Sequence, residues 1–378
     1  MNVLSSVLPV LALAGAISAQ VFVVDASNGP GTDFTEIAAA VAAVPDGAVL
    51  DVRAGSYLPF EIDDKSVTVL GGPGVVVTAP LFVQNDSEVR NLAPQRTVSI
   101  RGIDWIGSWY TPTLGLRDCR GTVVIDGCTF GLQGMPDWGK LTVSRCDRVL
   151  VRETTLIGEG LFGPGIECFE SNLCLLDSRV TSAGLCLRQN GGRVEITGGS
   201  VERDPSVHAA ALLFVNDGVL ALNGDVLLLG LAASPTPGVS GSGTLVLDPS
   251  TNLQFIATPA FDPNLTLENR VIPALRADAG SLGGTATASL AVPSGSMAAL
   301  HVGFAATPTQ AAGVLGALWL AAPAALHAVG GAPTLAGSYA VPNFTWALGV
   351  EITWQGVVFD SGTGVVAVSN PAGYVHHG

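Results

Sequence analysis

Lysine is nearly missing from this chain: Lys65 and Lys140 are the only two in 378 residues. Charged residues of all kinds reach 13% and aromatics 6%. With 17 basic against 31 acidic residues the formal net charge is −14. Such a balance argues against nucleic acid as a partner and against an anionic membrane surface, and it repels polyanions unless calcium bridges the two. Five histidines are spread without Ser-His-Asp or metal-type spacing. No C-x-x-C pair, no D-x-D-x-D-G loop and no nonapeptide calcium repeat occurs. Scarcity of charge is not disorder here. Hydrophobic residues make up 48% and glycines number 47, which suits many short strands and tight turns.

Two long apolar runs are present. Residues 1–19, MNVLSSVLPVLALAGAISA, read as a secretory signal peptide with an apolar core from Val7 to Ala14 and a cleavage site before Gln20. The n-region holds no Lys or Arg, and the alternative is an uncleaved N-terminal anchor. Export, or display at the cell surface, is the expectation. The second run, Ala311 to Gly331, has nearly spanning length, but Pro323, His327 and four glycines interrupt it. Buried strands and turns are expected there, and no membrane span in the mature chain.

The dominant feature is a repeat of 21–26 residues between about 98 and 228: VSIRGIDWIG (98–107), VVIDGCTFGL (123–132), VLVRETTLIG (149–158), LCLLDSRVTS (173–182), RVEITGGSVE (193–202) and VLALNGDVLL (219–228). Two apolar ladders run through it in step. The first is Ile100, Ile125, Val151, Leu175, Ile196 and Leu222; the second, five residues on, is Trp105, Phe130, Leu156, Val180, Val201 and Leu227. A fixed-offset repeat of this length with period-2 alternation predicts a stack of β-coils. Upstream, VFVVDA (21–26) reads as a strand, and Ile37, Val41 and Val44 form one face of a short helix capped by Asp33 or Thr35. Pro45-Asp46-Gly47 is a turn, and a second strand follows at 48–57. The helix is expected to cover the open end of the first coil.

This order of strand, D-F-T-E-I helix, P-D-G turn and V-x-A-G-x-Y resembles the N-terminal cap of right-handed parallel β-helix proteins, of which pectin methylesterases and pectate lyase-like proteins are familiar members. The phrasing around Cys146, Arg148, Val149 and Val151 is similar too. The resemblance implies an all-β fold, a right-handed parallel β-helix with an N-terminal capping helix. It carries no activity with it. The Q-A-V-A and D-F-I-F-G segments of pectin methylesterases, the N-T-D, G-H-G and R-I-K motifs of polygalacturonases and the R-x-P-x-x-R of pectate lyases are missing. The expected division is a signal peptide at 1–19, the β-helix at 20–255, a Pro- and Asn-punctuated linker at 256–276 and a small β-sandwich at 277–378. The last resembles, through W-A-L-G-V-E-I-T-W-Q-G-V-V-F-D (346–360) and V-A-V-S-N-P (366–371), a C-terminal module of exported planctomycete-type bacterial proteins.

Candidate chemistry is sparse. Asp126, Glu153, Asp177 and Glu195 follow strand positions of neighbouring coils and are the weak catalytic candidates, since glycosidases need two carboxyl groups about 5–9 Å apart. No partner residue completes a site around them, so a solvated acidic face is the preferred reading. Calcium is a secondary possibility on the same carboxylates, with no other cofactor or metal expected. Trp109, Tyr110, Trp138 and Phe162 lie in SWYTPT (108–113), LQGMPDWG (132–139) and EGLFGPG (159–165), which leave successive coils at one edge. Aromatic faces beside polar groups bind sugar rings, which makes these four the candidate ligand-binding residues; sealing gaps under their own loops is the competing role. Trp105 is assigned to the core ladder, and Trp319, Trp346 and Trp354 to the sandwich core. His208, His301 and His327 are read as core or edge residues, and His376 and His377 as a mobile terminus. Six cysteines fall between 119 and 186, with Cys119 and Cys146, and Cys168 and Cys186, near matching places one coil apart. Disulfides and buried thiols are both compatible with that spacing. The leading functional expectation is a non-catalytic exported protein that contacts a polysaccharide, a cell-surface glycan or another partner through the coil-edge loops. The alternatives are a polysaccharide lyase or glycoside hydrolase working through the acids, and a purely structural or adhesion module.

Overall fold

A computed structural model describes residues 20–378 apart from 79–86, 107–112, 132–140, 159–163, 204–210, 231–236, 256–259 and 279. The chain forms one unit at Val21–Val271 and a second built on Ile272–Gly378.

The first unit is a parallel β-solenoid of three sheets with eleven, nine and eight strands. Each coil contributes one strand to each sheet in turn, as in Thr122–Asp126, Thr129–Phe130 and Leu141–Ser144. Every strand of the eight-stranded sheet closes one coil, which makes eight complete coils. Val, Ile and Leu alternate with outward residues, and the inward set forms one continuous core from Val24 to Leu247. The first ladder holds rung for rung: Ile100, Ile125, Val151, Leu175, Ile196 and Leu222 are register partners in the eleven-stranded sheet. In the nine-stranded sheet the second ladder holds through Val201, and its last rung is Leu228 rather than Leu227. The cause is an extra residue. After the left-handed pair Gly224 and Asp225, Val226 turns into the core before the strand resumes. Within the core Trp105 stacks on Phe130 with ring centroids 4.8 Å apart and planes 3° apart, as its place in the ladder requires.

Two corners of the coil are built alike. At the first, Gly102, Gly127, Glu153, Asp177 and Gly198 have φ between 46° and 65°, and each donates its N–H to a carbonyl one coil on: Asp126, Arg152, Leu176, Thr197 and Asn223. At the second, Asn91, Asp118, Arg145, Glu170 and Gly191 repeat the device. The left-handed conformation aims each N–H along the stack, and Gly, Asn and Asp tolerate it best.

The one α-helix among the described residues, α1 (Ile37–Ala43), buries Ile37, Ala40 and Val41 in the same core. Neither Asp33 nor Thr35 caps it. The N-cap is Glu36, with no side-chain cap bond, while Asp33 accepts the Val23 N–H at 2.8 Å. At the other end the Lys65 ammonium donates to the carbonyls of Val41 and Val44, where the helix dipole favours a cation. The strand Thr266–Asn269, inside the stretch expected to act as a linker, pairs in parallel with Thr244–Leu247 and extends the eleven-stranded sheet.

The second unit is antiparallel in its main pairings. A three-stranded sheet orders Leu275–Ala277, Thr285–Ala291 and Thr334–Ala340. A six-stranded sheet is centred on Glu351–Asp360 and Ser296–Gly303. The two touch face to face at glycines: a Cβ on Gly356 would lie 2.4 Å from Leu290, and one on Gly337 would lie 2.7 Å from Leu300. The apolar run 311–331 folds as the strands Val314–Leu315, Leu318–Leu320 and Ala325–Gly331. No helix among the described residues is long and apolar enough to cross a membrane. Trp319 and Trp354 are core residues, but Trp346 is not: it is half-buried in the turn Thr345–Ala347, stacked on exposed Phe344. His376 is also not a mobile end. It is buried, with its backbone paired to Val350 and its imidazole against the Tyr339 hydroxyl.

Candidate functional site

The four candidate carboxylates sit in three different settings. Asp126 ends the strand Thr122–Asp126 and points away from the core, because Val123 and Ile125 point into it. Register places it between Arg101 on the preceding coil and Arg152 on the next. Its carboxylate meets Arg101 Nη1 at 2.9 Å and Arg152 Nε at 3.1 Å, and its side chain is 1% exposed. Arg152 also contacts the carboxylate of Glu153. Glu153 itself is exposed and occupies a left-handed corner position, with Asp177 one coil on at the same corner and likewise exposed. Thus Asp126 and Glu153 do come together, but around a shared guanidinium.

Glu195 lies apart from this group, in the middle row of the same sheet's outer face. It pairs in register with Cys174 and Ala221, and its carboxylate contacts Arg193. That row, Ser99, Val124, Leu150, Cys174, Glu195, Ala221 and Val246, is buried throughout, none of it more than 6% exposed. Glu195 therefore does not line an open acidic face. Asp118 follows the same pattern at the other corner, holding Arg145 through two bonds of 2.6 and 2.8 Å, and the arginine keeps its carboxyl below the usual range. Arg101, Arg152, Arg193 and Arg145 were the residues sequence reasoning missed. A signal for the first two was present: Arg101, Asp126 and Arg152 are spaced by the same 25 and 26 residues as the apolar ladder.

Trp109, Tyr110, Trp138 and Phe162 lie outside the described residues, in 107–112, 132–140 and 159–163. What the described strands fix is where those stretches begin and end. Asp104–Ile106, Thr129–Phe130 and Thr155–Gly158 are stacked neighbours in the nine-stranded sheet, and Leu114–Arg117, Leu141–Ser144 and Ile166–Phe169 are stacked neighbours in the eight-stranded one. Exit and re-entry points therefore recur at one edge of the stack.

The six cysteines are buried thiols. Burial pushes the thiols of Cys128, Cys168 and Cys186 up to about 12 and that of Cys174 well above its ordinary value. Cys119 and Cys146 are adjacent, and the hydrogen bond between them holds Cys119 down while raising Cys146. Cys168 and Cys186 are not register partners: Cys168 faces Gln189, and Cys186 precedes the strand Leu187–Asn190. No group of His, Cys, Asp or Glu fit to hold a metal occurs among the described residues.

No protein-family model matches the chain. No curated protein matches it either. Among solved structures it is similar to the enzymatically active domain of tailspike protein 2 of bacteriophage CBA120, with a TM-score of 0.33 and 11% identity over 88% of this chain and 69% of that one. A likeness of that degree bears on neither ligand nor activity.

Proposed function

We propose that this is an exported, non-catalytic recognition protein. Its right-handed β-helix, closed at the first coil by α1 and followed by a β-sandwich, would present the loops around Trp109, Tyr110, Trp138 and Phe162 to a glycan. The observation that carries the reading is the engagement of the coil-face carboxylates: Asp126 is held between Arg101 and Arg152, and Glu195 by Arg193. A hydrolase of the two-carboxylate kind needs one acid to protonate the leaving group and a second to act as base or nucleophile. A carboxylate whose oxygens are engaged by guanidinium groups is not free to approach a glycosidic oxygen. Exit points recurring at one edge favour a binding groove, since aromatic side chains carried there would supply repeated platforms along a chain of sugar rings. Calcium would serve here as a bridge to acidic saccharides rather than as a resident ion.

The test is a glycan array probed with the purified protein, with calcium and with chelator. Saturable binding lost in Trp138→Ala, at unchanged thermal stability, is the expected result. Absence of binding in both conditions would leave the chain with a structural or adhesive role. Cleavage of any bound polysaccharide would restore the enzyme reading.

A further inference from the structure

Three arginines of the described chain are at least nine-tenths buried: Arg148, Arg152 and Arg203. Arg152 holds two carboxylates. Arg148 donates to Thr122 Oγ1 at 3.1 Å and to the Pro94 carbonyl. Arg203 has no such partner. It is 5% exposed, yet among the described residues its guanidinium makes no ion pair and no hydrogen bond, and its enclosed Nε meets no acceptor. The neighbouring acid, Glu202, points to the other face of the strand and is committed to Arg179 at 2.8 Å. In a chain where acids outnumber bases by 31 to 17, an arginine with no counter-charge among the described residues is conspicuous. A guanidinium cannot escape by losing its proton, so burial without an anion is paid in stability.

Arg203 ends the strand Ser200–Arg203 and alternates inward with Val201. Its register partner on the preceding coil is Ser182, buried to 1% exposure, whose Oγ accepts the Gly184 N–H. That leaves the Ser182 hydroxyl proton to donate elsewhere. Gly158 is the partner of Ser182 one coil further back, and a Cβ on it would lie 3.6 Å from the Ser182 oxygen. On the following coil Gly230 comes one residue after the Glu202–Leu229 pair. A fork of donors, a hydroxyl and a glycine, Gly158, thus occupy one column, at the sheet edge from which the aromatic stretches depart. Burial also holds the Arg203 pKa below its ordinary value, as an uncompensated cation requires.

We propose that Arg203 and Ser182 form an oxyanion subsite that takes a carboxylate or sulfate group. The recognition reading above supplies only the source of that anion, an acidic sugar. The planar guanidinium would grip two oxygens at once, with Ser182 donating to one of them.

The experiment measures thermal stability of the full chain, wild type and Arg203→Met, in chloride and in sulfate, acetate, glucuronate or glucose, with ionic strength matched among the salts. Arg203→Met keeps side-chain length and removes the charge. In chloride it is expected to raise the melting temperature, because it removes an unpaired buried cation. Sulfate and glucuronate are expected to stabilise the wild type by several degrees and the variant not at all, with glucose inert. Arg203→Lys, which keeps the charge without the fork, should weaken glucuronate binding at least about tenfold. If Arg203→Met and Asp204→Asn both lower the melting temperature, the guanidinium is neutralised inside the chain and the subsite does not exist. Failure of every oxyanion to stabilise the wild type overturns it equally. Glucuronate acting more strongly than acetate or sulfate supports the subsite on a sugar; sulfate acting alone supports the subsite with a free anion as its ligand. A glycan array that shows only neutral ligands, unaffected by Arg203→Met, would sink this inference and leave the recognition reading standing.

Discussion

Asp126→Asn separates an ion-pair role from a catalytic one. The side chains of Asp126 and Arg152 are 1% and 3% exposed, and their contact is 3.1 Å. The amide keeps the shape and removes the charge. Arg152 keeps its contact with Glu153, whose side chain is 56% exposed and so offers a screened, weak attraction. Breaking one side of a buried pair costs about 3–5 kcal/mol. Arg101 is 28% exposed and regains water, which favours the lower end, about 3 kcal/mol. For a unit of roughly 250 residues each kcal/mol moves the melting temperature by about 2–4 °C, so a fall of about 6–12 °C is expected. Circular dichroism at neutral pH reads it directly. The double variant Asp126→Asn/Arg152→Met should recover part of the loss, because it no longer buries a cation short of its main partner. A melting temperature within about 1 °C of wild type would refute the ion-pair account. Loss of a measurable activity at unchanged stability would make Asp126 catalytic.

Two further outcomes are expected. Leu228→Ala should destabilise by about 2–5 kcal/mol while Leu227→Ala costs far less, since only Leu228 is in the core; equal effects in denaturant unfolding would contradict the register. In the second unit, burial holds His376 down at about 4 against an ordinary 6.5. The unfolded chain therefore takes up a proton as pH falls below 6.5, and the folded one does not until about 4. Stability present above 6.5 should be lost through that window, on the order of 3 kcal/mol in all, and His376→Asn should flatten the dependence. A pH profile unchanged in His376→Asn would refute it.

The coil stack was legible because its cause is local and repeated. Each coil must bury the same side of the same strand, so Ile100 to Leu222 recur at the coil length and alternate with outward residues. The ladder lost its last rung at Leu227 because Val226 adds one residue between corner and strand, and a single residue exchanges the two faces of a strand. The corners were readable in part: Gly, Asn and Asp at Gly102, Gly127, Asn91 and Asp118 mark left-handed turns, but Glu153 and Arg145 adopt the same conformation without its usual residue types.

The carboxylates divide along the same line. Sequence by itself determined that Asp126 and Glu195 sit beside inward residues and face outward. Only the stacking of coils decided what they meet, because Arg101 and Arg152 are 25 and 26 residues away from Asp126 along the chain and one strand away in space. The burial of Glu195, the lack of a partner for Arg203 Nε among the described residues and the enclosure of His376 next to Tyr339 belong to the tertiary structure alone. Alternation of apolar residues is a property each strand carries in its own letters. Whether a charge finds a partner, or a terminus finds a core, depends on residues that the folded chain brings from elsewhere.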